Sequence, residues 1–222
     1  MIFKKSFFFG AASLLAVSLS SVSSLSAATE SQAEAITSKF DLSYKLWLSE
    51  MKLAKAAGST SIVAKKQPSP VEAATRLKSL ISHDLSKDWT LKYGAWLLEN
   101  DPVLKPESQR ALLNAVEKYH ITSPKVGRFC MAMIYLNQRG EMPRAGQPPI
   151  RSRGMSLLQT IKKKNPDPKV QGQAALALSM MLSSMGDDNR LMRERIKNLK
   201  EAIIKSADVR VGEVTVAKIA ED

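Results

Sequence analysis

Cys130 is the one cysteine in the 222-residue chain, so it is the only side chain able to act as a thiol nucleophile or as a thiol that links to a partner. Lys125 and Arg128 stand near enough in sequence to favour the thiolate. Its spacing points to the core instead. It falls four residues after Val126 and three before Met133, on an apolar stripe of helical period where a free cysteine packs as a small hydrophobe. His83 and His120 are the only imidazoles. With no HExxH, no paired cysteines and no carboxylates at calcium-loop spacing, the sequence offers no metal motif, and its glycines form no phosphate or dinucleotide loop. His120 closes a helical stretch and is read as a cap on that helix's C-terminus. The serines fall mainly at expected helix starts and near the N-terminus. No Gly-x-Ser-x-Gly elbow singles one out, although a Ser-His-Asp grouping stays open to a single sequence. Glu50, Glu99, Glu107 and Glu117 would be the carboxylates of a cell-wall glycan hydrolase, and they read as surface or first-turn charges. The expectation is a chain without catalytic residues, cofactor or metal.

Positive charge is the other chemical resource. The formal net charge is +12, and the surplus is uneven. Residues 29–60 are balanced, whereas Arg144, Arg151, Arg153, Lys162, Lys163, Lys164 and Lys169 stand against only Glu141 and Asp167. These seven form the candidate binding patch, for an acidic protein, a membrane surface or a cell-wall polymer. No aromatics are interleaved with them, so a merely solvated face is the plain reading and nucleic acid is not expected.

The elements that must position these groups begin with an N-terminal leader. Lys4 and Lys5 precede the apolar run Phe7 to Leu19, and a Ser-rich stretch closes on Ser26-Ala27-Ala28. That is the layout of a secretory signal peptide, expected over residues 1–28 with the mature chain starting at Thr29 in a periplasmic or secreted location. Residues 29–68 are expected to hold one amphipathic helix, with Ile36, Phe40, Tyr44, Trp47, Met51 and Ala54 on one side, and then a linker from residue 58.

Residues 69–222 read as a helical-repeat domain. Ser69-Pro70, Asp88, Lys105-Pro106, Ser123-Pro124, Asp167-Pro168 and Asp187 or Asp188 are each read as a helix start. The stretch Ser123-Pro-Lys-Val126 returns as Asp167-Pro-Lys-Val170, each time ahead of an apolar stripe. The first stripe is Val126, Phe129, Cys130, Met133 and Leu136. The second is Val170, Ala174, Ala177, Leu178, Met181, Leu182 and Met185. Met192, Ile196, Leu199 and Ile203 give the following helix its stripe, read as core-facing. Breakers from Gly140 to Pro149 mark an irregular loop, and the tail from Val209 is read as extended chain followed by a short helix. Several methionines, Met180 and Met181 among them, are read as core filling over a peptide groove. One cap-and-stripe unit repeated in this way predicts an all-α fold of antiparallel hairpins stacked as a short tetratricopeptide-like solenoid, without the consensus residues of the true tetratricopeptide motif.

Three segments carry a resemblance: HITSPKVGRFC from His120 to Cys130, KKNPDPKVQGQAALALSMML from Lys163 to Leu182, and ADVRVGEVTVAKIAED from Ala207 to Asp222. They resemble the helical region that precedes the thioredoxin-like domain in exported redoxin-type proteins of planctomycete and verrucomicrobial bacteria. The resemblance implies a helical fold and export. In that family a Cys-x-x-Cys pair carries the thiol-disulfide chemistry, and this sequence has none, so no catalytic residue is carried over. The resulting expectation is a non-enzymatic interaction or scaffold module. One alternative is an accessory to a separately encoded thioredoxin-like partner, docked through Cys130, and a cell-wall enzyme is a lesser one.

Overall fold

The computed structural model describes residues 29–136, 149–186 and 188–221, and over these the chain is mostly helical. The expected signal peptide, the breaker loop as far as residue 148, Arg144 and Asp187 lie outside the described residues.

Helix α1 (Glu30–Ala56) opens on a reciprocal cap. Gln32 N–H donates to Thr29 Oγ1 at 3.3 Å, and Thr29 N–H donates to Gln32 Oε1 at 3.1 Å. Its first half buries Ala33 and Thr37 and packs Ile36 and Phe40 on the core. Its second half runs past that core and leaves Leu42, Leu46 and Leu53 in water. The expected linker contains one helical turn, α2 (Ser61–Ala64), where Val63 O accepts from Trp47 Nε1 at 2.9 Å.

Three helices follow: α3 (Val71–Ile81), α4 (Thr90–Asn100) and α5 (Pro106–Ala115), the last widening into a π-turn over Val116–His120. Tyr93 and Trp96 of α4 fasten α1, the first donating to Glu34 Oε2 at 2.9 Å and the second to Asp41 Oδ1 at 3.1 Å. Asp88 does not cap α4 as expected. Its carboxylate is held instead by His120 and Ser123.

The two Pro-Lys-Val units then part ways. Asp167 Oδ1 accepts from Lys169 N–H at 2.8 Å, and α8 (Pro168–Ser183) starts at once. At the earlier unit Ser123 Oγ accepts from Lys125 N–H but donates to Asp88 Oδ2, and α6 (Gly127–Ala132) begins three residues later than its start signal. A 3₁₀ turn over Met133–Tyr135 extends α6, and Val126, Phe129, Cys130, Met133 and Leu136 are all buried as the stripe requires.

Helix α7 (Ile150–Lys164) lies antiparallel to α8, with Arg151 at its start donating to Met181 O near the end of α8 at 2.6 Å. Asn165 joins the repeat units: its amide donates to Ile121 O at 2.7 Å and Ser123 O at 3.0 Å while its Oδ1 receives Asp167 N–H. Helix α8 is surrounded, with α6, α7 and α9 (Asn189–Ser206) packed around it.

The stripe expected to seat α9 is overturned. Of its four residues only Leu199 packs on the core; Met192, Ile196 and Ile203 are exposed, and the buried residues are Asn198, Ala202 and Ser206. Close approach explains the exchange: a Cβ at Gly172 of α8 would overlap Ser206 Oγ and come within 2.7 Å of Ser206 Cβ, so only small side chains fit this seam. Ser179 Oγ donates to Arg195 O at 3.3 Å further along it. In the tail, β1 (Arg210–Val211) and β2 (Val214–Thr215) pair antiparallel around Gly212 at φ +65° before α10 (Val216–Glu221). The extended segment read in the sequence is thus a two-residue hairpin.

Candidate functional site

The structure assembles one group that the sequence kept apart. His120 is buried, with Nδ1 3.0 Å from Asp88 Oδ1 and Nε2 2.8 Å from Leu85 O. Both ring nitrogens face oxygen atoms. Ser123 Oγ donates to Asp88 Oδ2 at 3.0 Å and not to the imidazole. Serine, histidine and aspartate therefore meet here, but the histidine has no nitrogen free to take a proton from the serine. The arrangement clamps the loop before α4 to the end of the π-turn, and His120 is a buried tie in place of the C-terminal cap expected of it. No signal of spacing could have announced Asp88, thirty-two residues upstream.

Cys130 is wholly enclosed, and burial pushes its thiol well above the usual range, which disfavours the thiolate that nucleophilic chemistry needs. Arg128 does not lower it, being engaged with Glu99 at 3.0 Å.

The basic patch is largely consumed by structure. Arg151 serves the last turn of α8 through Met181 O and Ser184 Oγ, and Arg153 pairs with Glu117 at 2.9 Å. Lys162 reaches Asn198 Oδ1 at 2.9 Å and Glu201 at 3.1 Å across the α7 and α9 interface. Lys169 pairs with Asp208 at 2.7 Å, which holds the Asp208 carboxyl below its ordinary range. Lys163 and Lys164 remain exposed. Glu201 is more tightly held: burial tends to raise its carboxyl, but hydrogen bonds from Lys205 and Lys162 outweigh that and lower it.

A different surface is open. On α9, Met192, Ile196 and Ile203 are separated by four and seven residues and so line up on one face. Ile196 is 45% exposed, Ile203 40% and Ile204 81%. Arg193, Lys197 and Lys200, spaced by four and three, run beside that line with Ile204 among them. A second feature is a groove of about 880 Å³ between α1 and α3, with Ile36, Phe40 and Leu80 among its apolar walls. Among the described residues no three His, Cys, Asp or Glu side chains converge to hold a metal, and no helix is long and apolar enough to cross a membrane.

Compared with protein-family models, curated proteins and solved structures, the chain has no match.

Proposed function

We propose that this chain is an exported interaction module, non-enzymatic, in which antiparallel hairpins stacked in a tetratricopeptide-like manner hold exposed faces in a fixed geometry. The observation that carries the reading is the apolar line Met192, Ile196 and Ile203 left in water on α9, beside an interior that encloses its own thiol and ties up His120. Exposed aliphatic side chains set in a line are what partner surfaces look like before the partner arrives. The stacking rests on Asn165, whose amide binds the start of one Pro-Lys-Val unit while its side-chain oxygen binds the start of the next. Export rests on the leader pattern of Lys4, Lys5, Phe7 to Leu19 and Ser26-Ala27-Ala28.

The test is photo-cross-linking in the native envelope from a probe placed at Ile196, followed by identification of what is attached. Adducts that disappear when the probe is moved to buried Leu176 support an interaction surface on α9. A probe at Ile196 that yields only adducts shared with the buried control would overturn it, and so would turnover of peptidoglycan in a zymogram of the purified chain.

A further inference from the structure

Only part of α9 faces the body. Asn198, Ala202 and Ser206 fill the seam with α8, and Glu194 and Glu201 fall on one flank of that seam. Glu201 is occupied by Lys162 and Lys205. The opposite, outward sector holds Arg193, Lys197 and Lys200, with the line of Met192, Ile196 and Ile203 along its edge and Ile204 inside it. None of the three cations has an ion-pair partner among the described residues. Cations and aliphatic side chains therefore share one outward sector, and the carboxylate at its border, Glu201, is already engaged by Lys162 and Lys205.

We propose that this sector of α9 lies on an anionic lipid surface, with the isoleucines entering the headgroup boundary and Arg193, Lys197 and Lys200 meeting the phosphates. This rests on the interaction-module reading and names its partner. Three features favour lipid over a protein groove. The apolar residues are unbranched or β-branched aliphatics in a row, with no aromatic anchor shaped for a pocket. Long basic side chains beside them can keep their stems on the apolar boundary and their charged ends at the phosphates. The chain as a whole carries +12, so its approach to a negatively charged plane is attractive from a distance.

A probe on α9 itself distinguishes this contact from membrane binding by the apolar N-terminal run. Cys130 is buried, so in an Ile204→Cys variant of the full chain a thiol-reactive, polarity-sensitive dye attaches at residue 204. The labelled protein is mixed with vesicles of phosphatidylcholine alone, or of phosphatidylcholine and phosphatidylglycerol in equal parts. The expected result is a blue shift on the anionic vesicles only, reversed by salt. Adding Lys197→Gln and Lys200→Gln should weaken the apparent affinity about tenfold or more. Both lysines are solvent-facing, and far-ultraviolet dichroism verifies that the fold is kept. An unshifted dye on anionic vesicles overturns the lipid assignment, and so does a shift that is indifferent to the two lysines. If the Ile196 cross-links instead identify a protein while the dye stays unshifted, the lipid assignment fails and the interaction-module reading stands.

Discussion

Helices α8 and α9 have the same kind of apolar periodicity in sequence and opposite fates in space. In α8, Val170, Ala174, Ala177, Leu178 and Met181 are buried, and so are Leu176 and Ser179 outside that line, because α6, α7 and α9 enclose the helix. In α9 only Leu199 of the apolar line packs on the core, Met192, Ile196 and Ile203 stay exposed at its edge, and a thin strip of Asn198, Ala202 and Ser206 makes the seam. An apolar stripe marks a face without saying what covers it. Which face of a helix is used depends on how closely its neighbour comes, and here Gly172 sets a distance that isoleucine cannot occupy.

The strongest way to test this contrast is to remove the same kind of atoms from each helix, starting with α8. Leu176 is fully buried, so Leu176→Ala should cost about 2–5 kcal/mol by loss of transfer energy plus the cavity left behind. Equilibrium denaturation by urea measures it, and a loss below about 0.5 kcal/mol would mean that α8 is not enclosed. Next in size is the seam. Gly172→Ala places a methyl group against Ser206 and should cost about 1–3 kcal/mol through overpacking. Ser206→Gly, itself costing about 1 kcal/mol as a helical glycine, should reduce that penalty, so the double variant should be more stable than the summed losses. Strict additivity in the cycle would show that the two residues do not touch.

The sequence disclosed the elements better than their partners. The start of α8 and the buried stripe of α6 were legible because Pro, Asp and the spacing of apolar residues act locally. The face of α9 was not legible, since it follows from Gly172 and Ser206, thirty-four residues apart, and a glycine between Gln171 and Gln173 reads as an ordinary helix position. The basic patch failed to read as structure for a similar reason. The partners of Arg153, Lys162 and Lys169 are Glu117, Glu201 and Asp208, each more than thirty residues away. The meeting of Asp88 with His120 and Ser123 is likewise tertiary.

Glu201 sharpens the contrast from the charged side of α9. Its carboxyl is lowered in the folded chain, so protonation is harder when folded than when unfolded. The stabilisation is therefore complete above the ordinary carboxylate range and is lost as pH falls through the folded value. Glu201→Gln should cost about 0.5–1.5 kcal/mol at neutral pH and flatten the loss of stability on acidification. Denaturation midpoints compared at neutral and acid pH check both parts, and a variant whose acid sensitivity equals that of the parent would show that Lys162 and Lys205 do not hold the carboxylate.

The smallest effect is the most telling, because it comes from residues that the sequence places in the core. Ile196→Ser and Ile203→Ser together remove two large apolar side chains from α9. Had they faced α8, the pair would cost several kcal/mol, since each buried isoleucine is worth about 1.5–3 kcal/mol. At 45% and 40% exposure, both already spend much of their surface in water, so the combined loss should stay near 1 kcal/mol. Much of that would come from the helix preference of serine and from partial contact with Leu199. Binding should respond in the opposite proportion: a double variant almost as stable as the parent should lose most of its attachment to anionic vesicles. Large destabilisation with intact binding would place these isoleucines inside the protein and return α9 to the orientation that its periodicity first suggested.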